Sequence, residues 1–440
     1  MGKVLVVGWG KSGQGSVKLL QKRGYETVVY DDHKILTEES NQTKSVVELL
    51  ADIDFVVVSP AIANNHAIVE CARKCNIEVI SEIELGYRCS KNDIIAITGT
   101  NGKTTTTMLM TQMLNDAGVQ AYSLGNIGTS YCGELADDNI ADSGIIVLEV
   151  SSFQLEHVDK FAPKYAVCLN VTPDHLERHH TMEEYALTKM RIFGMQSMND
   201  VAVLNYDDEI TRNFADGIGG NIYYISLTNR VKGAYVSENK IYFDSGKKEF
   251  VCNVDDIAIK GEHNISNALA CIVIAKLVGL DNNSICKTLG TFKLPRYRIE
   301  FVTELDKKKY YNDSKATNID STLKACETMQ GDTALIVGGY DKGIAYDGFF
   351  SALPSKIKHI IACGDNALDI MEFLPPYHDY TFEIVNQLER ALELASCKNV
   401  ANVLFSPTTS SFDRYCGYEQ RGEHFNYIVR EMQNEFCQNT

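Results

Sequence analysis

Gly99-Thr100-Asn101-Gly102-Lys103-Thr104 stands between the apolar run Ile94–Ile97 and a helical stretch that begins at Thr105. A buried strand, a tight glycine turn and a helix, in that order, demand an α/β layer, because both faces of the strand must be covered and the helix must pack back on the sheet. Turn glycines let backbone N–H groups converge on phosphate oxygens, and the helix start adds the positive end of its dipole. In such a loop Lys103 reaches the β- and γ-phosphates of a nucleotide triphosphate and the Thr104 hydroxyl meets Mg²⁺. The full P-loop pattern has a glycine five positions before Gly102, where this chain has Ile97, so the loop is a shortened form. The alternative is a strand-to-helix turn that binds nothing.

Strand and helix signals alternate on both sides of this loop. Val4–Val7, Thr27–Tyr30, Phe55–Val58 and Glu78–Ile80 are short β-branched runs, with helical stretches at Ser16–Lys22 and Ala67–Cys75 between them. After the polar linker Cys89–Asp93 the pattern restarts at Ile94–Ile97, Ile145–Val150, Tyr165–Leu169 and Val201–Leu204, followed by a β-ribbon near Ala234–Phe243 and a helix over Asn264–Val278. A third block has strands at Lys309–Asn312, Ala334–Val337, His359–Ala362 and Val403–Phe405. Such alternation predicts mainly parallel sheets with flanking helices and ligands at the carboxyl ends of the strands. The expected architecture is three α/β domains over residues 1–91, 92–295 and 296–440, Rossmann-like at either end and P-loop ATPase-like in the centre, and 440 residues suffice for three cores.

A net charge of −16 argues against nucleic-acid binding and against an anionic membrane surface. The N-terminal run Val4–Val7 lacks the length and cleavage pattern of a signal peptide, and no stretch is long enough for membrane insertion, so the expected location is cytoplasmic. Thirteen cysteines without C-x-x-C spacing read as reduced core residues.

Several further groups carry chemistry. Gly8-Trp9-Gly10-Lys11-Ser12-Gly13 fits the dinucleotide fingerprint, with Asp31 and Asp32 where a ribose-binding acid belongs; it would serve NAD(P) or any nucleotide diphosphate. Glu149 closes the apolar run Ile145–Leu148, well placed to hold Mg²⁺ beside the loop. His175, in Asn170–Glu177, is a candidate metal or substrate contact, with Asp174 expected to cap the next turn. Lys189 lies on a helical stretch whose ordinary reading is a solvated face. Asn312–Asn318, Gly338–Gly343 and Ser406–Asp413 each follow a strand of the third block and converge as a set suited to a small anionic substrate.

Taken in order, these motifs resemble the Mur ligase family over essentially the whole chain, most like its D-glutamate-adding members. Further matches are Gly125-Asn126-Ile127-Gly128, Glu149–Leu155, His263-Asn264 through Asn267-Ala268, Arg298, and Tyr418-Glu419-Gln420-Arg421-Gly422. The resemblance implies an ATP-dependent amide-forming ligase acting on UDP-N-acetylmuramoyl-L-alanine and D-glutamate through an acyl phosphate, in peptidoglycan precursor synthesis. It implies ATP contacts at Gly99, Thr100, Asn101, Gly102, Lys103, Thr104, Thr105, Asn264, Asn267, Arg298 and Asp313. It places two Mg²⁺ ions on Thr104, Glu149, His175 and a carbamylated Lys189, and assigns catalysis to Lys103, Glu149, His175 and Lys189. The first glycine turn becomes a uridine diphosphate site, with Lys11, Ser12, Asp31, Asp32, His33 and Ser59, and Asn126 contacts the muramoyl part. Thr317, Lys342, Ser411 and Phe412 match the positions that hold D-glutamate. The chain departs from the family at Asp32-His33, where Thr-Arg is common, which leaves the uracil contacts open. A monomer that closes its domains around the substrates is expected. Two rivals remain at this point: a relative adding L-alanine, a diamino acid or further glutamates, and a nucleotide-binding regulator or dehydrogenase.

Overall fold

The computed structural model describes residues 2–32, 45–341 and 346–439, so His33 and Lys342 lie outside the described residues. The chain forms two compact units, one of Met1–Ala258 with Asn264–Phe292 and one of Ile259–His263 with Lys293–Thr440.

The first unit contains two sheets. The smaller has β1 (Lys3–Val7), β2 (Glu26–Tyr30), β3 (Phe55–Val58) and β4 (Glu78–Ser81), all parallel, in the order β2-β1-β3-β4. Val4 to Val7 are fully buried because β1 is central and both its faces carry apolar packing. Where β1 turns into the helix Lys11–Lys22, a Cβ on Gly13 would lie 1.9 Å from the Gly8 carbonyl oxygen, so only glycine lets the helix approach the strand so closely.

The larger sheet has β5 (Ile94–Thr98), β6 (Ala121–Gly125), β7 (Ile145–Glu149), β8 (Tyr165–Cys168), β9 (Val201–Asn205), β10 (Asn221–Ser226), β11 (Gly233–Ser237), β12 (Lys240–Asp244) and β13 (Lys248–Asn253). Its order is β13-β12-β11-β10-β9-β8-β5-β7-β6, parallel from β6 to β11 and antiparallel beyond. All five residues of β5 are buried, as a strand flanked by β7 and β8 and covered on both faces requires. The expected β-ribbon is the β11–β12 hairpin, turned by Glu238 and Asn239 at positive φ, and β13 extends it. The expected linker Cys89–Asp93 is instead a tied turn. Cys89 ends the helix Glu82–Cys89, and the Asn92 amide donates to the carbonyls of Ala141 and Gly144, both at 2.8 Å.

The second unit holds β14 (Glu300–Leu305), β15 (Lys308–Asn312), β16 (Thr333–Val337), β17 (Ile357–Cys363), β18 (Thr381–Val385) and β19 (Asn402–Phe405), ordered β14-β15-β19-β16-β17-β18. Only β14 is antiparallel to its neighbour. Apolar clusters cover both faces: the helix Ile319–Thr328 joins one, while the helix Leu388–Ser396 joins the other with Phe425 and Val429.

Among the described residues no helix is long and apolar enough to cross a membrane. All twelve cysteines from Cys71 to Cys416 are free; Cys132, Cys168, Cys252, Cys271, Cys326 and Cys363 are buried as expected, whereas Cys75, Cys397 and Cys416 are exposed.

Candidate active site

Parallel pairing brings the carboxyl ends of β5, β7 and β8 together, with Ile97 opposite Glu149 and Thr98 opposite Cys168. The turn after β5 is braced from β8. Asn101 N–H donates to the Asn170 side chain at 2.9 Å, and the Asn170 amide returns a bond to the Asn101 carbonyl at 3.1 Å. Thr100 Oγ1 donates to the Thr172 carbonyl and accepts from its N–H, at 3.1 and 3.0 Å. Gly102 starts the helix Lys103–Asp116 in the left-handed region, with φ of 87°. The Lys103 ammonium folds over the turn, donating to the carbonyls of Gly99 at 2.8 Å and Thr100 at 2.7 Å, and Thr104 and Thr105 are buried behind it.

The helix Glu262–Val278 packs against this turn through Asn267, and both Asn264 and Asn267 are buried. A Cβ on Gly102 would meet Asn267 Oδ1 at 2.4 Å. Gly102→Ala combines that overlap with left-handed strain of about 1–3 kcal/mol, so it displaces the loop; the expected result is a KM for ATP raised about tenfold or more with a melting temperature lower by a few degrees. An unchanged KM would remove Gly102 from the binding geometry.

Glu149 is 2 % exposed. Its Oε1 accepts from the Asn126 amide at 3.0 Å, and Asn126 N–H also donates to the Glu149 carbonyl, which ties the turn after β6 to the end of β7. Its Oε2 is buried and has no hydrogen-bond partner, a cost of about 1–3 kcal/mol that a ligand at that oxygen would remove.

Lys189 departs from the solvated-face reading: it is 1 % exposed, on the helix Met182–Met190. Its Nζ donates to the Gly99 carbonyl at 2.9 Å, the same oxygen that Lys103 reaches, and lies 4.5 Å from the centre of the Tyr185 ring. Burial, then the nearby Lys103 charge, lower its pKa from 10.5 to about 7. Near neutral pH roughly half of the amine is therefore unprotonated, which is the form that nucleophilic nitrogen chemistry needs.

His175 has a positive φ of 56° and opens the short helix Leu176–His179, with its ring 4.8 Å from Phe153 and 33 % of its side chain exposed. Asp174 does not cap this turn: His175 occupies the cap position, and Asp174 Oδ1 accepts the adjacent His175 N–H at 3.0 Å. Among the described residues no group of three or more His, Cys, Asp or Glu side chains is gathered as a metal site.

In the smaller sheet, Ser59 Oγ donates to the Gly8 carbonyl at 3.0 Å and the Trp9 N–H donates to Asp31 at 2.7 Å, which fixes the first glycine turn. Lys11 and Ser12 begin the following helix, and the Tyr30 hydroxyl at the end of β2 donates to Asp32 at 3.1 Å.

In the second unit the three expected loops do converge, after the adjacent strands β15, β19 and β16. Ser406 Oγ donates to Asp313 at 2.8 Å, and the N–H groups of Gly338 and Tyr340 donate to the carbonyls of Pro407 and Ser410. Asp313 is fully buried, and desolvation lifts its carboxyl to about 6 against the pull of Arg298, 3.8 Å away. Ser411 is buried, Thr317 half-buried, and Phe412 65 % exposed with its ring against Tyr340. Arg421, buried at 2 % exposure, ties these loops by donating to the carbonyls of Ser314, Thr409 and Ser410.

Sequence reasoning missed Tyr185 and Asn170 as partners of the site. The four-residue spacing of Tyr185 and Lys189 on one helix was an available signal; nothing local marks Asn170, whose role follows from strand adjacency.

A family profile for the Mur ligase middle domain matches residues 97–275, and one for the Mur ligase MurD-like N-terminal domain matches residues 2–81. The UDP-N-acetylmuramoylalanine–D-glutamate ligase of Thermoanaerobacter pseudethanolicus is 39 % identical, covering 98 % of each chain. The protein of the same name from Clostridioides difficile is 37 % identical with the same coverage. Among solved structures, a pseudomurein peptide ligase type C from Methanothermus fervidus has a TM-score of 0.62 at 18 % identity, over 98 % of this chain and 100 % of that one. UDP-N-acetylmuramate-alanine ligase MurC from Thermotoga maritima has 0.61 at 19 %, over 98 % and 99 %. These two share the fold, and the full-length relatives settle the family: this chain belongs to the Mur ligases, on the branch of the UDP-N-acetylmuramoylalanine–D-glutamate ligases.

Proposed function

We propose that this chain is the ATP-dependent ligase that joins D-glutamate to UDP-N-acetylmuramoyl-L-alanine in peptidoglycan precursor synthesis. The observation that carries the reading is end-to-end likeness, at 37–39 % identity, to enzymes named for that reaction. A carboxylate resists attack by an amine until one oxygen becomes a leaving group. The alanine carboxylate therefore attacks the γ-phosphorus of ATP, and the acyl phosphate formed is attacked by the amine of D-glutamate, releasing phosphate. Lys103, with the turn and helix start formed by Gly99, Thr100, Asn101, Gly102, Thr104 and Thr105, is assigned to the ATP phosphates. Asn264, Asn267, Arg298 and Asp313 complete the proposed nucleotide contacts.

The unpartnered Glu149 Oε2 and the charge-depleted Lys189 amine fit Mg²⁺. A neutral amine attacks CO₂, forming an N–C bond and releasing a proton, and the carbamate supplies oxygen ligands where an ammonium would repel the metal. Thr104, Glu149, His175 and carbamylated Lys189 would hold two ions, which would supply charge neutralisation at the transferred phosphoryl oxygens.

Lys11, Ser12, Asp31, Asp32, His33, Ser59 and Asn126 are assigned to the UDP-sugar, and Thr317, Lys342, Ser411 and Phe412 to D-glutamate. The proposed domains are 1–91, 92–295 and 296–440, and each of the three sheets falls within one of them. The proposed working form is a monomer in the cytoplasm.

The test is phosphate release from ATP and Mg²⁺ with UDP-N-acetylmuramoyl-L-alanine, comparing D-glutamate with L-glutamate, L-alanine, L-lysine and diaminopimelate. Turnover with D-glutamate alone, and a product heavier by one glutamate, is the expected result. Turnover with another amino acid reassigns the acceptor; turnover with none overturns the ligase reading.

A further inference from the structure

His66 meets one of the residues assigned above, Asp32. It occupies the cap position of the helix Ala67–Lys74, where its Nδ1 accepts the Ile68 N–H at 3.2 Å. A nitrogen that accepts carries no proton, so the neutral ring holds its hydrogen on Nε2. That Nε2 lies 3.4 Å from the Asp32 carboxylate and is oriented to donate to it. The Tyr30 hydroxyl donates to Asp32 Oδ1 at 3.1 Å, and the Tyr30 ring meets the His66 ring edge-on at 6.2 Å. Asp32 is thus held by a donor from β2 and a donor from the helix after β3, at the carboxyl edge of the smaller sheet. Its side chain stays 40 % exposed, so the carboxylate keeps acceptor capacity toward solvent, while His66 is only 19 % exposed.

We infer that His66 is a positioning residue for base recognition: it fixes the Asp32 carboxylate so that Asp32 accepts the N3–H of a uracil ring. This rests on the reading of the first glycine turn as a uridine diphosphate site. A carboxylate only accepts hydrogen bonds, and uracil presents an N3–H where cytosine presents a bare N3. The pair therefore selects uridine over cytidine by chemistry that needs an aimed acceptor. Aim is what His66 supplies, because its ring is locked by the helix cap at one nitrogen and points the other at the carboxylate.

Capping and positioning separate cleanly by substitution. Asparagine is among the best cap residues but is too short to reproduce the imidazole's reach to Asp32, whereas alanine loses both roles. Binding of UDP and of CDP is measured by calorimetry on the full chain, alongside steady-state kinetics and thermal melting. For His66→Asn the expected result is a melting temperature near the parent's, UDP affinity and KM for the UDP-sugar weakened about five- to tenfold, a smaller change in kcat, and a reduced preference for UDP over CDP. Asp32→Asn should lose the preference, and the double variant should lose no more than Asp32→Asn alone. If His66→Asn binds UDP and discriminates against CDP as the parent does while His66→Ala melts lower, His66 is a cap alone and the inference falls. If the parent itself binds no UDP, it is the uridine diphosphate reading that fails.

Discussion

Lys189→Met should make the protein more stable and inactive at once. Methionine keeps the length of the buried side chain without its charge, and Tyr185 offers its sulfur an aromatic neighbour. The parent's amine has a folded pKa of about 7 against 10.5 unfolded. Between those values the unfolded chain binds the extra proton, so stability rises with pH across this window, and the whole penalty is present below it. The gain from Lys189→Met is therefore largest at pH 6, on the order of 3 kcal/mol or roughly 5–10 °C in melting temperature, and it fades to nothing near pH 10.5. Lys103 still donates to the Gly99 carbonyl, so that acceptor is not orphaned. On the proposed carbamate role of Lys189, ligase turnover should fall by about a thousandfold or more, because methionine cannot form the carbamate.

The measurement is thermal melting in CO₂-free buffer at pH 6, 8 and 10, paired with phosphate release in bicarbonate and with ¹³C NMR of protein in labelled bicarbonate. A carbamate resonance in the parent that disappears in the variant is expected. A variant that melts no higher than the parent at pH 6 would show that the buried amine carries no such penalty. One that turns over normally would take Lys189 out of the chemistry.

The strand, glycine turn and helix around Gly99–Thr104 were legible because they are consecutive, so local sequence alone specifies them. The burial of Lys189 was not, since Met182–Met190 carries Glu183, Glu184 and Thr188 beside it and its partner Gly99 is 90 residues away. The same limit hid the strands β6, β10, β14 and β18. Ala121–Gly125 is an edge strand with only two buried residues, and Glu300–Leu305 and Thr381–Val385 are likewise edge strands whose sparse burial leaves no continuous apolar run. Asn221–Ser226 has only its last two residues buried. The loops of the second unit could be placed together because they follow adjacent parallel strands, whereas Arg421, which ties them, acts through backbone carbonyls that no side-chain pattern announces.

Glu84→Ala should be the most destabilising single change in the first unit outside the site. Glu84 is wholly buried, on the helix that leaves the smaller sheet after β4. Its carboxylate accepts the N–H groups of Asp159, Lys160 and Phe161, each at 3.0 Å, and the Arg88 Nε at 2.7 Å. The three amides belong to the segment that precedes β8 of the larger sheet, so one side chain closes a loop of about seventy-five residues and fixes one sheet's helix to the other sheet's approach strand. Alanine leaves the buried Phe161 N–H, the part-buried N–H groups of Asp159 and Lys160, and one guanidinium nitrogen without their acceptor. Charge-assisted bonds of this kind, lost from a buried position, cost about 3–5 kcal/mol, or roughly 8–15 °C in melting temperature for a unit of this size. Glu84→Gln keeps one acceptor oxygen but turns an NH₂ toward N–H groups, so it should recover less than half of the loss. Thermal melting of both variants, with hydrogen exchange at Asp159, Lys160 and Phe161, gives the check. If the amides stay protected in Glu84→Ala, or melting drops by less than about 3 °C, the two sheets are held together by their apolar packing and not by this carboxylate.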